Sequence, residues 1–314
     1  MGSVKKPKVK TKISARRTVL TSLVVDTLDV VANIIVAIIT GSVVMLAEAI
    51  QGVADFISVL FVFVGLKKSS KKVSKKHPIG SGKALYFWTF MATIIMFLFT
   101  STIIFYFGFM NFLNPEAIEN IALAYIVLVI FVISNGYAFS VSSRRILDGK
   151  KCKEIINVFK NSSLVETKTT LVLDFIGTLA ALIGLVALLL YKFTGDMRFD
   201  GLGAMAIGIC IMSLTIFLIK DLKNLLVGKS ASPDIERKIR SIISDTDEVK
   251  KVLGFYTLNI GLGRILVHAE IHLENNLVTD EIEEIVRNIE KRIKKKVPEA
   301  KQIHIEIRAK KTKK

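Results

Sequence analysis

Six segments of this chain are each apolar for about 20 residues or more, the length an α-helix needs to cross a bilayer. They run Val19–Ile39, Val43–Leu66, Ala84–Phe109, Ile121–Val141, Leu164–Tyr191 and Leu202–Val227. A chain with this pattern is expected to fold as a membrane α-helical domain with six transmembrane helices. Of the 314 residues, 51% are hydrophobic, yet the formal charge is +17. That pairing excludes a disordered tail protein, a disulfide-stapled secreted domain and a simple soluble enzyme. The two cysteines, Cys152 in a lysine-rich loop and Cys210 in an apolar segment, make neither a disulfide framework nor a metal knuckle. No cleavable signal peptide is expected, because the first apolar segment is too long for a signal core.

The connections between spans sort by charge. Seven Lys/Arg precede span 1 (Lys5 to Arg17), seven lysines lie between Lys67 and Lys83, and six Lys/Arg lie between Arg144 and Lys160. Thr40–Ser42 and Asn111–Asn120 carry none, and Tyr191–Gly201 carries only Lys192 and Arg198. The positive-inside rule then places both termini in the cytoplasm, with the chain multi-pass in the cell membrane. The same rule accounts for the basic excess, so no nucleic acid partner is needed.

From Lys229 the chain reads as a small α/β domain. Ser232-Pro233-Asp234 has the form of a helix start, with Ser as cap and Pro first in the helix. Ile235, Ile239 and Ile242 give its apolar stripe. Val252–Ile260 and Arg264–Leu273 read as strands joined by Gly261 and Gly263, the second placing Ile265, Val267, Ala269, Ile271 and Leu273 on one face. Thr279 is expected to cap the next helix, whose stripe is Ile282, Ile285, Val286, Ile289 and Ile293. A last strand turns Ile303, Ile305 and Ile307 inward. The order α-β-β-α-β leaves one sheet face open. On it stand His268, Glu270 and His272, and His304 with Glu306 if the two strands are neighbours. Imidazole with carboxylate suits zinc, iron, cobalt or nickel. The alternative is a solvated face with Arg264 and Arg308 pairing to the glutamates.

Ionisable groups inside spans are costly and mark function. Span 1 carries Asp26, Asp29 and Asn33, span 2 carries Glu48, Gln51 and Asp55, and span 5 carries Glu166, Lys168 and Asp174. Spacings of three and four put Glu48, Gln51 and Asp55 on one helical face, and Glu166, Thr170 and Asp174 on another. Such stripes can converge on one midplane cation site, where protons replace a departing metal. Lys168 is expected to neutralise Glu166. Asn33 and Asp29 serve either the site or helix–helix hydrogen bonds.

At this point the chain resembles the cation diffusion facilitator family of divalent-metal transporters. The likeness is carried by Thr40-Gly41-Ser42 through Leu46-Ala47-Glu48-Ala49-Ile50-Gln51 to Asp55, and by His77-Pro78-Ile79-Gly80-Ser81-Gly82-Lys83. Asp174 in span 5, Asp200-Gly201, Leu225-Leu226-Val227-Gly228-Lys229-Ser230 and the α-β-β-α-β tail add to it. The resemblance implies a metallochaperone-like, ferredoxin-like α+β cytoplasmic domain and a four-residue transport site, which by position is Gln51, Asp55, Thr170 and Asp174. No histidine occupies it, and an all-oxygen set favours manganese, iron(II) or magnesium over zinc. Glu48 or Glu166 is a possible accessory ligand. His77 matches one loop position, with Ser81 where a second histidine is usual. In the tail, Glu270, His304 and Glu306 fall near metal positions of the family, with His268 beside them.

The resemblance thus implies a homodimeric secondary transporter in the lipid bilayer that exports Mn2+, Fe2+, Zn2+ or Co2+ from the cytoplasm in exchange for protons. These ions are its substrates and no other cofactor is expected. The alternative is a transport-inactive relative that serves as a metal-sensing or partner subunit. An enzyme is not expected, since no nucleophile elbow, phosphate loop or HExxH motif is present. The domains implied are a basic cytoplasmic N-terminus at 1–17, a transmembrane domain at 18–228, and a metal-binding and dimerisation domain at 229–314.

Overall fold

The computed structural model describes residues 27, 30–70, 74–75, 77–147, 149, 151–161 and 165–309. The basic N-terminus, the start of the first predicted span, Asp26 and Asp29 lie outside the described residues, as does the side chain of Glu166.

Among the described residues, five helices are long and apolar enough to span a bilayer, and a shorter apolar helix precedes them. The short one is α1 (Val30–Thr40). The spans are α2 (Val43–Ser69), α3 (Ala84–Leu113), α4 (Ile121–Leu147), α5 (Val165–Thr194) and α6 (Arg198–Val227). At 1.5 Å per residue each is roughly 40 Å long, more than the hydrocarbon core requires. The helices therefore overrun the apolar stretches that announce them. Last-turn Lys67 and Lys68 on α2 and Arg144 and Arg145 on α4 oppose the negative end of the helix dipole.

Several hydroxyls in these helices are satisfied locally. Thr40, Ser58 and Thr215 hydroxyls each donate to the carbonyl four residues back. The start of α2 is closed from a distance. The Ser42 hydroxyl accepts from the Met45 N–H at 3.3 Å, while Asp200 of α6 accepts from Ser42 Oγ and the Val43 N–H at 2.7 Å and the Val44 N–H at 3.1 Å. Those donors are the ones a helix N-terminus leaves unpaired. α3 opens into one wide turn at Met96–Thr100, where the Ser101 N–H reaches back to the Met96 carbonyl. Small residues let helices approach: a side chain at Gly108 would lie 2.8 Å from the Gly201 carbonyl, and one at Gly184 2.6 Å from Val44.

The tail runs α7 (Pro233–Ser244), β1 (Val249–Gly261), β2 (Arg264–Leu273), α8 (Thr279–Lys296) and β3 (Ala300–Ile307). The order is the expected one. β2 is central, antiparallel to β1 and parallel to β3. Its burial alternates residue by residue, with Ile265, Val267, Ala269, Ile271 and Leu273 packed in the core with Ile239, Ile242, Ile243, Ile285, Ile289 and Ile293. Ile303 and Ile305 join that core, but Ile307 at the strand end is 43% exposed. Both helix caps differ from expectation. Ser232 holds the cap position with no side-chain hydrogen bond. Thr279 is already helical, and the Val278 N–H before it is closed by Glu281 Oε2 at 3.0 Å.

Candidate functional site

Between α1, α2, α4 and α5 lies a cavity of about 100 Å³ lined by Asn33, Glu48, Gln51, Gly52, Asp55, Phe131, Ser134, Asn135 and Gly177. The three-and-four spacing on α2 delivers Glu48, Gln51 and Asp55 to it together, as a helical face must. Asn33 is 5% exposed, Glu48 5% and Gln51 3%. Asn33 Oδ1, Glu48 Oε1 and Gln51 Oε1 have no hydrogen-bond partner among the described residues. A buried acceptor without a donor costs about 1–3 kcal/mol. Several around one small polar cavity make a place that a cation, with or without water, would satisfy.

Asp174 is half-buried on α5, three residues before Gly177, which lines the cavity. Thr170, one turn earlier on the same helix, is exposed. Ser134 and Asn135 were not singled out from the sequence. Their signal is Ser134-Asn135-Gly136, a polar interruption of the apolar span 4. Asn135 packs on the backbone of α5, and a side chain at Gly177 would meet its amide at 3.1 Å.

Lys168 stands on the first turn of α5. It is fully buried, and its ammonium meets Asp221 Oδ2 of α6 at 2.7 Å. Asp221 Oδ1 also takes Lys229 Nζ at 3.1 Å, and the Phe159 ring lies 4.7 Å from the Lys168 nitrogen. Lys168 is thereby tied to the end of α6, and its expected pairing with Glu166 lies outside the described residues.

In the tail, parallel pairing sets His268 beside His304 and Glu270 beside Glu306. Potential ligand atoms of His268, Glu270 and Glu306 lie within 4.8 Å of one another, whereas His304 is exposed and outside that group. His268 stacks on Tyr256 with ring centres 5.0 Å apart, and the Tyr256 hydroxyl donates to Glu270 Oε1 at 2.8 Å. That hydrogen bond to an anionic acceptor raises the Tyr256 phenol above its usual range. Arg308 donates to Glu306 Oε1 at 2.8 Å and reaches Glu270 Oε2 at 3.5 Å. The Arg308 hydrogen bond holds the Glu306 carboxyl below the usual carboxylate range. Arg264 lies instead against Gly80. His272 Nδ1 is 3.1 Å from the Arg308 carbonyl oxygen, and His77 sits exposed in the loop before α3.

Comparison with known proteins accords with this arrangement. The cation efflux transmembrane domain matches residues 19–227, and the cation efflux protein cytoplasmic domain matches residues 231–308. The human mitochondrial proton-coupled zinc antiporter SLC30A9 is 23% identical over 265 residues, covering 84% of this chain and 47% of the relative. The chain thus spans about half the length of that relative and of its vertebrate counterparts. The manganese efflux system protein MneP of Bacillus subtilis is 20% identical over 93% of this chain and 95% of its own length. The magnetosome protein MamB of Magnetospira is 23% identical over 87% of this chain and 88% of its own. The chain is a multi-pass integral membrane protein with an α/β cytoplasmic domain, and it belongs to the cation efflux family, the cation diffusion facilitators.

Proposed function

We propose that this protein exports a divalent cation from the cytoplasm in exchange for protons, through the cavity at Asn33, Glu48, Gln51, Asp55 and Asn135. The observation that carries the proposal is that the buried side-chain oxygens of Asn33, Glu48 and Gln51 lack donors among the described residues around that cavity. Asp55 and Asp174 supply the charge. A carboxylate that loses its cation in a low-dielectric site takes up a proton, so release of metal and entry of protons are one event.

Every side-chain donor around the cavity is oxygen, which favours manganese or iron(II) over zinc. The names of the manganese efflux and zinc antiporter relatives support divalent export as the class. The lysine asymmetry of the loops supports cytoplasmic termini. The match of residues 231–308 to the family's cytoplasmic domain supports a homodimer joined through the tail. His268, Glu270 and Glu306 are the tail's metal candidates, with His304 at their edge, and Arg308 must swing aside for an ion to enter.

The test is uptake by proteoliposomes of manganese, iron(II), cobalt, zinc and cadmium under an imposed pH gradient. Wild type should move manganese or iron(II) fastest, with a matching proton flux, and Asp55→Asn should move none. Equal flux in both proteins would sink the proposed site. Flux of zinc alone would sink the oxygen-site argument while leaving transport intact.

A further inference from the structure

A second cavity lies where the loop before α3 meets the end of α6 and strand β1. It is larger, about 740 Å³, a volume typical of sites for organic ligands. Its walls are of two kinds. Ile79, Phe87 and Leu226 are apolar, and Ile79 and Phe87 are 45% and 47% exposed. Lys68, Lys83 and His77 supply the polar part with Ser74 and Ser81, and no carboxylate among the described residues lines it. Lys83 Nζ donates one hydrogen bond, to the Leu226 carbonyl at 3.1 Å, and keeps two more protons to give. Lys68 Nζ lies 4.2 Å from the Trp88 ring centre. Arg264 adds a guanidinium against Gly80, whose Cβ position is 3.1 Å from Nη1. Among the described residues none of these three cations has a salt bridge to a carboxylate.

The depth of the cavity follows from the helices that frame it. Lys68 is in the last turn of α2, Phe87 in the first turn of α3, and Leu226 in the last turn of α6. All three helices cross the bilayer, so the cavity sits at its surface. Trp88, the single tryptophan, stands at the same level, where such rings are favoured. Unpaired cations beside an apolar wall at a membrane surface suit one kind of occupant. We propose that this cavity is a binding site for an anionic phospholipid of the adjacent leaflet. Its phosphate would be held by Lys83, Lys68 and Arg264, and the start of an acyl chain would lie along Phe87 and Leu226. The site differs from general attraction of basic loops to membranes, because it selects one molecule at one place.

Trp88 provides the readout. The protein is reconstituted in an equal mixture of phosphatidylglycerol and phosphatidylcholine, with brominated chains on one lipid or the other. Bromine quenches tryptophan only at contact, so the two samples report which lipid sits at Trp88. A lysine near the surface gives about a fivefold preference for anionic lipid. Brominated phosphatidylglycerol should therefore quench as though enriched at least about fivefold. The enrichment should fall in Lys68→Gln/Lys83→Gln and persist in Lys151→Gln/Lys153→Gln, whose lysines lie in another loop. Equal quenching by the two lipids overturns the proposal, as does an enrichment that the first double variant leaves unchanged. Loss of the enrichment on adding excess soluble glycerophosphate also overturns it, because the site would then take the headgroup anion from solution. The wild-type comparison stands alone if the double variant does not fold.

Discussion

Lys168, Asp221 and Lys229 form a closed set at the end of α6: one partly buried anion between two cations, at 2.7 and 3.1 Å. Asn33, Glu48 and Gln51 are the reverse, with three buried side-chain oxygens unsatisfied around a small cavity. Desolvation penalises both arrangements, but only the first is compensated within the chain. A polar cluster that is complete holds helices together. One that is incomplete is held in place by the packing around it, and it keeps its free valence for something that comes and goes. The tail cluster falls between them, since Arg308 occupies the position by Glu270 and Glu306 that a metal would take.

Three substitutions would break or sharpen this contrast. The largest effect is expected at the closed set. Asp221→Leu leaves Lys168 buried without its counter-charge, and breaking such a pair typically costs about 3–5 kcal/mol. Thermal unfolding of the full chain in detergent should show it as a marked fall in midpoint. An unchanged midpoint would mean that the pair contributes nothing. Next comes the open cavity, where the sign should reverse. Gln51→Leu removes a buried amide oxygen that lacks a donor, at similar volume, so the protein should gain about 1–2 kcal/mol of stability while metal flux drops. Loss of stability together with flux would show that Gln51 is structural.

The smallest effect belongs to the tail. Arg308→Gln removes the resident cation, and calorimetric affinity of the full chain for cobalt or zinc should rise about tenfold, or 1.4 kcal/mol. The same variant carries a pH signature. Glu306 is held below the usual range by Arg308, so their pairing stabilises the fold above the ordinary glutamate range and is lost as pH falls through the lowered value. Any difference in midpoint between wild type and Arg308→Gln should therefore vanish once pH has fallen below that lowered value. A difference that persists there would assign it to packing of the Arg308 stem.

Much of this architecture was legible from the chain alone, because hydropathy and two-residue alternation are local signals. The spans, the α-β-β-α-β order and the inward set Ile265 to Leu273 were read that way. The α2 stripe was also visible, since a helical face follows from spacing alone. What escaped depended on partners distant in sequence. Asp200 looks like the opening residue of span 6, but its carboxylate closes the start of α2, 157 positions away along the chain. The Asp221 partner of Lys168 lies one helix over, 53 positions along the chain, where sequence spacing gives no sign of it. Asn135 carries no charge, so a search for ionisable groups passed over it. Val278 could not be found as a cap, because its backbone N–H rather than its side chain makes the bond.

One contact in the tail has a mechanical meaning. A side chain at Gly261 would lie 2.6 Å from the Gly82 Cα, and one at Gly82 would strike the Ile260 carbonyl oxygen. The tip of the β1–β2 hairpin therefore bears directly on the loop two residues before α3, backbone against backbone. β1 has 13 residues. At ~3.3 Å per residue such a strand is a rod of roughly 40 Å, and tilting it by about ten degrees at its base sweeps the tip by about 7 Å. Because glycine backbones meet in that joint, a displacement of that size would be felt by the loop before a spanning helix.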